Sequence, residues 1–175
     1  MPEPVLEQAL AKSLRVDVED LTAELVAENL EYFELNNANI RDLTGLESAL
    51  KLRVLVLRDN LIQDLSPLSE LAYLTQLDLA GNKISNLKSL TNLSGRMMED
   101  EITRIQKMLS DYKTPKDEVA QLVLSLNELT QRYRRGPWQL RELSLSNNRL
   151  LGLTGISQLS HIRHLDVSGN SLIDL

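Results

Sequence analysis

Apolar residues recur along this chain in a pattern that repeats every 22 positions, LxxLxLxxNx(I/L)xxLxxLxxLxx. The first part of the pattern alternates apolar and polar residues, which is typical of a short β-strand with one buried face. The second part places an apolar residue at every third position, which favours a loose turn or 3₁₀ segment that returns the chain. Four copies begin at Leu52, Leu74, Leu140 and Ile162, and an imperfect copy begins at Leu30.

Units of this kind bury their leucines only against the units beside them, so the pattern predicts a solenoid. An asparagine stands where each predicted strand ends, and its amide can pair with backbone groups of the bend. We therefore interpret these asparagines as structural: Asn60, Asn82, Asn148 and Asn170. In the imperfect copy Ala38 takes this position, which predicts an edge unit. The sequence leaves open whether Asn37 or Asn39 substitutes for the missing asparagine.

Motifs such as LTQLDLAGNKISNLKSL and LRVLVLRDNLIQDLSPL resemble leucine-rich repeats. Their length is most similar to that of bacterial internalin-type repeats and of eukaryotic phosphatase-regulator repeats. The resemblance covers residues 30–95 and 140–175. It implies an α/β fold, a right-handed solenoid with short parallel β-strands on its concave face. It also implies a protein–protein interaction module and says nothing about the partner's identity.

Two segments depart from the repeat and show helical periodicity instead. Residues 1–29 predict a helical N-terminal cap over the open end of the leucine core, with a docking helix as the alternative. Residues 96–139 predict an inserted α-helical hairpin, with Thr114 capping its second helix and Gly136–Pro137 ending it. The hairpin either packs on itself or serves as a docking or dimerising arm. The predicted units are 1–29, 30–95 with three repeats, 96–139, and 140–175 with two repeats.

The residues that flank each inward leucine point to the opposite face of the predicted sheet. Val54 and Val56 beside Tyr32 and Arg58 resemble the centre of a protein interface, although they can also be ordinary strand-favouring residues. We expect the partner to contact this face. The predicted contact residues are Tyr32, Glu34, Val54, Val56, Arg58, Gln76, Asp78, Glu142, Ser144, His164 and Asp166.

Composition narrows the range of functions. The formal charge of −6 argues against a nucleic-acid backbone as the partner, and the absence of cysteine excludes disulfides and thiol chemistry. No apolar run is long enough to predict a membrane span, and the acidic start does not resemble a signal peptide, so we expect a cytoplasmic protein. A piece cut from a longer protein is the alternative.

We expect neither an enzyme nor a cofactor or metal site. Glu142, Ser144, His164 and Asp166 on adjacent strands could imitate a hydrolytic triad, but the face is open and no oxyanion hole is indicated. The last repeat stops at Leu175 without a cap, so self-association through that end or through the hairpin is the alternative function. This alternative predicts that the chain associates in a concentration-dependent way.

Overall fold

The computed structural model describes residues 3–71, 73–90, 96–110, 115–134, 140–156, 159 and 161–173. It contains four α-helices and five β-strands within these ranges. In chain order they are α1 (Pro4–Leu14), α2 (Ala23–Asn29), β1 (Tyr32–Glu34), β2 (Val54–Val56), β3 (Gln76–Asp78), α3 (Arg96–Ser110), α4 (Lys116–Arg134), β4 (Glu142–Ser144) and β5 (His164–Asp166). The predicted ends of the hairpin, Thr114 and Gly136–Pro137, and the final Leu175 lie outside the described residues.

The strands form one parallel sheet in the order β1-β2-β3-β4-β5, which confirms the predicted α/β class. Each strand pairs with the equivalent residues of the next repeat, so Leu55 lies between Phe33 and Leu77. Leu77 pairs with Leu143 across the segment that contains α3 and α4. The two helices therefore do not interrupt the sheet, and residues separated by three repeat lengths behave as neighbours.

A single leucine core lies behind the sheet, because the inward residue of each strand meets the apolar residues of the returning turns. Phe33, Leu55 and Leu77 are almost fully buried, and 3₁₀ turns at Leu46–Ser48 and Ser66–Leu68 close the coils behind them. Burial of one leucine side chain contributes about 1.5–3 kcal/mol, so several per coil are enough to hold it. β5, at one edge of the sheet, is the exception, since its inward residue Leu165 is 40% exposed.

The helices outside the repeats contribute apolar side chains at two places. Leu6 and Leu10 of α1 and Val26 of α2 are buried in the leucine core at the β1 end of the sheet. Thr22 caps α2 by accepting a hydrogen bond from the backbone N–H of Leu25. Farther along, α3 and α4 pack against each other. Ile105 of α3 is buried.

The asparagine that follows each strand connects two coils through its side-chain amide. In Asn82, Oδ1 accepts the backbone N–H of Ile62 at 3.0 Å. Its Nδ2 donates to the carbonyl oxygens of Leu57 at 2.8 Å and Leu79 at 2.9 Å. Asn60, Asn148 and Asn170 make the same three kinds of bond. The amide therefore pairs backbone groups that the bend leaves without partners.

The residue before the asparagine position of each repeat adopts a left-handed backbone conformation, also in the first repeat, where Ala38 takes the place of the asparagine. These residues are Asn37, Asp59, Gly81, Asn147 and Gly169, with φ between 54° and 70°. Asparagine, aspartate and glycine tolerate this region best. A Cβ atom at Gly81 would lie only 2.1 Å from Oδ1 of Asp59, so a larger residue at this position would require the Asp59 side chain to move.

Replacement of Asn82 by alanine tests the importance of the asparagine bonds. Leu57, Leu79 and Ile62 would lose buried hydrogen-bond partners, each at about 1–3 kcal/mol. We expect the free energy of unfolding to fall by about 3 kcal/mol or more in urea denaturation followed by circular dichroism. Asn127→Ala, on an exposed helical surface, is the control and should change it by less than about 0.5 kcal/mol. Equal effects of the two substitutions would contradict a special role for Asn82.

Candidate functional site

The candidate site is the concave face of the sheet, which is defined here as the outward side chains of β1–β5. Pairing in register places these side chains in two parallel columns. The first column is Tyr32, Val54, Gln76, Glu142 and His164, and the second is Glu34, Val56, Asp78, Ser144 and Asp166. Equivalent residues on neighbouring strands lie about 4.8 Å apart, so each column is a continuous surface.

The β1–β2 end of the concave face combines an aromatic ring with two aliphatic side chains. Tyr32 is 53% exposed, and Val54 and Val56 are half-buried beside it. The Tyr32 hydroxyl donates a hydrogen bond to the Glu34 carboxylate, which also accepts Nδ2 of Asn36 at 2.7 Å. The neighbouring carboxylate holds the hydroxyl proton and raises the pKa of Tyr32. This end is therefore an apolar patch with an ordered polar margin.

Arg58 and Asp78 form an ion pair in the middle of the face. Nε and Nη2 of Arg58 both lie 2.6 Å from Oδ2 of Asp78, and Oδ1 of Asp78 accepts the backbone N–H of Ala80. The carboxylate raises the pKa of Arg58. The side chain of Arg58 remains 56% exposed, whereas that of Asp78 is only 9% exposed. Asp78 lies beneath Arg58 and positions it, so little of this predicted contact residue is accessible to a partner.

An open cavity of about 560 Å³ occupies the β3–β5 end of the face. Side chains of all three strands line it, together with Arg58 from the loop after β2 and Arg163 before β5. Asp166 accepts the backbone N–H of Ser168 at 3.0 Å. Bonds from Ser168 lower the pKa of Asp166, with a smaller contribution from Ser146. The β3–β5 end of the concave face is therefore polar and charged, whereas the β1–β2 end is apolar.

Sequence reasoning omitted Arg163 because its position precedes the alternating part of the repeat. The equivalent positions in the other repeats are Glu31, Arg53, Thr75 and Arg141. Glu31 and Arg53 lie 3.8 Å apart, so this row forms a polar border along the start of the strands. Charged residues recur at this repeat position, and that recurrence could have identified Arg163 from the sequence.

The four residues that could imitate a hydrolytic triad do lie together in the cavity. Glu142 pairs with His164, and Ser144 pairs with Asp166, on adjacent strands. The Ser144 hydroxyl is 3.5 Å from the Ser146 hydroxyl. No hydrogen bond joins Ser144 to His164 among the described residues. The nucleophile and base that such chemistry needs are therefore not in contact.

Within the part of the chain that the structure describes, no group of three histidine, aspartate or glutamate side chains could hold a metal ion. In the same ranges, no helix combines the length and the apolar character that crossing a membrane requires.

Three segments of the chain match known repeat families. Residues 50–92 match the family described as Leucine Rich repeats (2 copies). Residues 139–159 match the family Leucine Rich Repeat, and residues 158–174 match the family Leucine Rich repeat. No curated protein matches the sequence significantly.

Bacterial repeat proteins are among the solved structures with a similar fold. Internalin C2 from Listeria monocytogenes is 20% identical with a TM-score of 0.59, over 96% of this chain and 65% of that one. The functional domain of InlJ from the same organism is 22% identical with a TM-score of 0.65, over 96% and 27%. The Leptospira interrogans LRR protein LIC12759 is 21% identical with a TM-score of 0.54, over 85% and 27%.

This chain therefore spans less than two thirds of each of these structures. At this level of identity the likeness shows a shared fold.

The hydrogen bonds of Asp166 lead to a pH-dependent prediction. A carboxyl group with a lowered pKa in the folded state stabilises the fold above its unfolded pKa, and this contribution is lost as the pH falls below it. We expect the Asp166 carboxyl to titrate below the ordinary value of 3.8 in a carbon-detected NMR titration. Ser168→Ala removes the hydroxyl and should move the pKa back upward, whereas Ser85→Ala, which is far from Asp166 in sequence and exposed, should not. An unchanged pKa in Ser168→Ala would show that the hydroxyl is not the cause.

Proposed function

Because this chain is a leucine-rich repeat protein with internalin-like repeats, we propose that it binds a partner protein through its concave face. The contiguous patch of Tyr32, Val54 and Val56 carries this proposal. These side chains point away from the leucine core, so the stability of the core does not require them to be apolar. The proposed contacts are the predicted residues, with Asp78 acting through Arg58.

The composition of the patch supports an interface. Aromatic residues and arginine are enriched at the buried centres of protein interfaces, and aliphatic side chains beside them exclude water. Tyr32 lies beside Val54 on the adjacent strand, and Arg58 follows Val56 in the loop after β2. A patch of this kind is larger than the single exposed apolar residues that ordinary surfaces carry.

The hydrogen bonds of the patch support tight binding as well. Glu34 holds the Tyr32 hydroxyl, and Asp78 holds the guanidinium of Arg58, so both large side chains are ordered before a partner arrives. Restricting a long side chain on binding costs about 0.5–1.5 kcal/mol. A surface that is ordered in advance avoids much of this cost, which is the mechanism we assign to the concave face.

We also propose the domain division that the sequence predicts: a helical cap at 1–29, repeats at 30–95, a hairpin insertion at 96–139 and repeats at 140–175. Burial of Leu6 and Leu10 in the core supports the cap. Packing of α3 against α4, beside an uninterrupted sheet, supports the insertion.

Self-association through α4 is the second candidate function. Val123 and Leu124 are exposed on this helix, with Leu124 at 57%. The contact between α3 and α4 leaves these two apolar side chains exposed. Their burial against a second copy of the chain would stabilise a dimer.

Capture of a partner from a native extract tests the binding proposal. Tyr32→Ala combined with Val54→Glu removes the ring and places a charge in the apolar patch. We expect the partner identified with the wild-type chain to be lost from the capture, because its affinity should fall at least tenfold, which corresponds to about 1.4 kcal/mol. Leu151→Glu is the control, because Leu151 is 58% exposed but lies outside the strands. Retention of the partner by the concave-face variant, or equal loss in both variants, would refute the proposal.

Deletion of residues 96–139 separates the two candidate functions. The deletion removes 44 residues, twice the repeat length, and joins Gly95 to Leu140, which restores the leucine spacing. We expect a cooperatively folding chain that still captures the partner, because the concave face is complete without the helices. Sedimentation should show that any concentration-dependent association of the full chain is lost in the deletion and in Leu124→Glu. Loss of partner capture in the deletion would instead assign the contact to the helices.

A further inference from the structure

We infer that the concave face binds an extended segment that presents a lysine or arginine side chain three to five residues from an aliphatic or aromatic one. This inference rests on the proposed function and specifies the chemistry of the partner. The apolar side chain of the segment would contact Tyr32, Val54 and Val56. The basic side chain would enter the cavity beside Glu142 and Asp166.

Charge on the concave face is distributed unevenly. The outward residues of the five strands, with the two residues that follow each, include four carboxylates and one guanidinium. Glu34 is occupied by Tyr32 and Asn36, and Asp78 by Arg58. The other two carboxylates both line the cavity at the opposite end from the apolar patch: that of Glu142 has no side-chain partner among the described residues, and that of Asp166 accepts the backbone N–H of Ser168 but is not paired with a cation.

The charges that line the cavity favour a cation. Arg58 and Asp78 neutralise each other at 2.6 Å. Glu142, Asp166, Arg163 and His164 remain, so with a neutral imidazole the negative charges outnumber the positive one. The carboxylate of Glu142 makes no hydrogen bond or ion pair with another described residue, although the backbone N–H of Glu142 bonds Thr75. A partner carboxylate in this cavity would meet two like charges, whereas an ammonium or guanidinium would gain at least one ion pair.

The dimensions of the sheet set the spacing in the partner. Neighbouring strands are about 4.8 Å apart, so β2 and the β4–β5 pair are separated by about 10–14 Å. An extended chain advances about 3.3 Å per residue, and three to five residues cover this distance. The cavity volume of about 560 Å³ accommodates a long basic side chain together with adjacent backbone.

Selection from a random twelve-residue peptide library on the immobilised full chain tests the inference. We expect enriched peptides to carry lysine or arginine three to five residues from leucine, isoleucine, phenylalanine or tyrosine. Glu142→Gln combined with Asp166→Asn keeps the shapes of both side chains but removes their charges. Affinity of the enriched peptides should fall about tenfold or more in this variant, and the preference for a basic residue should vanish while the apolar preference remains.

The control variant carries the same charge change elsewhere. Asp20→Asn combined with Glu24→Gln alters two exposed carboxylates in the N-terminal region, so a general electrostatic attraction would weaken equally in both variants. Equal weakening, enrichment of acidic peptides or the absence of any enriched peptide would overturn the inference. The proposed function would survive these results if Tyr32→Ala with Val54→Glu still abolished partner capture. Failure of that variant to affect capture would refute both.

Discussion

The structure depends on one constraint, the pairing of backbone groups at the bend that follows each three-residue strand. A short strand gives few ladder bonds, and the bend behind it turns N–H and carbonyl groups into the leucine core, where unpaired groups are costly. The asparagine amide solves this problem, since its two ends bond the coil before it and its own coil. A repeat of constant length follows, because each amide must meet the same backbone groups of the previous coil. Both the continuous core and the columns of the concave face require that register.

This constraint also explains how the solenoid accepts α3 and α4. The bond between Ile84 N–H and Asn148 Oδ1 is 3.0 Å, the same as that between Leu150 N–H and Asn170 Oδ1. Each coil contacts only its neighbours, so additional chain is tolerated wherever it returns to the same register. The first repeat shows the converse. Asn60 accepts hydrogen bonds from the backbone N–H groups of Ala38 and Ile40. β1 is at the edge of the sheet, so an asparagine in place of Ala38 would have no preceding strand of the sheet to bond.

The sequence predicted the repeat, the parallel strands and most of the core, since a period of 22 residues constrains every inward position. It did not predict that the side chain of Asp78 would be covered, because that depends on the direction taken by Arg58 in the loop after β2. The sequence also predicted that the last repeat lacks a cap, and Leu165 of β5 is 40% exposed. The binding residues and the domain division stay predictions, because outward positions are not needed to form the core.

Alternation along the strand is what allows recognition to vary without loss of the fold. Inward positions and the asparagines are nearly the same in every repeat, so they cannot distinguish one partner from another. Outward positions differ from strand to strand, and they interact with each other through side chains, as Tyr32 does with Glu34 and Arg58 with Asp78. Such bonds orient a large side chain on a surface whose backbone is already held by the core. Under the binding mode that we propose, a change in partner needs new outward pairs and no change in the leucines, so the chemistry of the concave face, and not that of the repeat, determines what is bound.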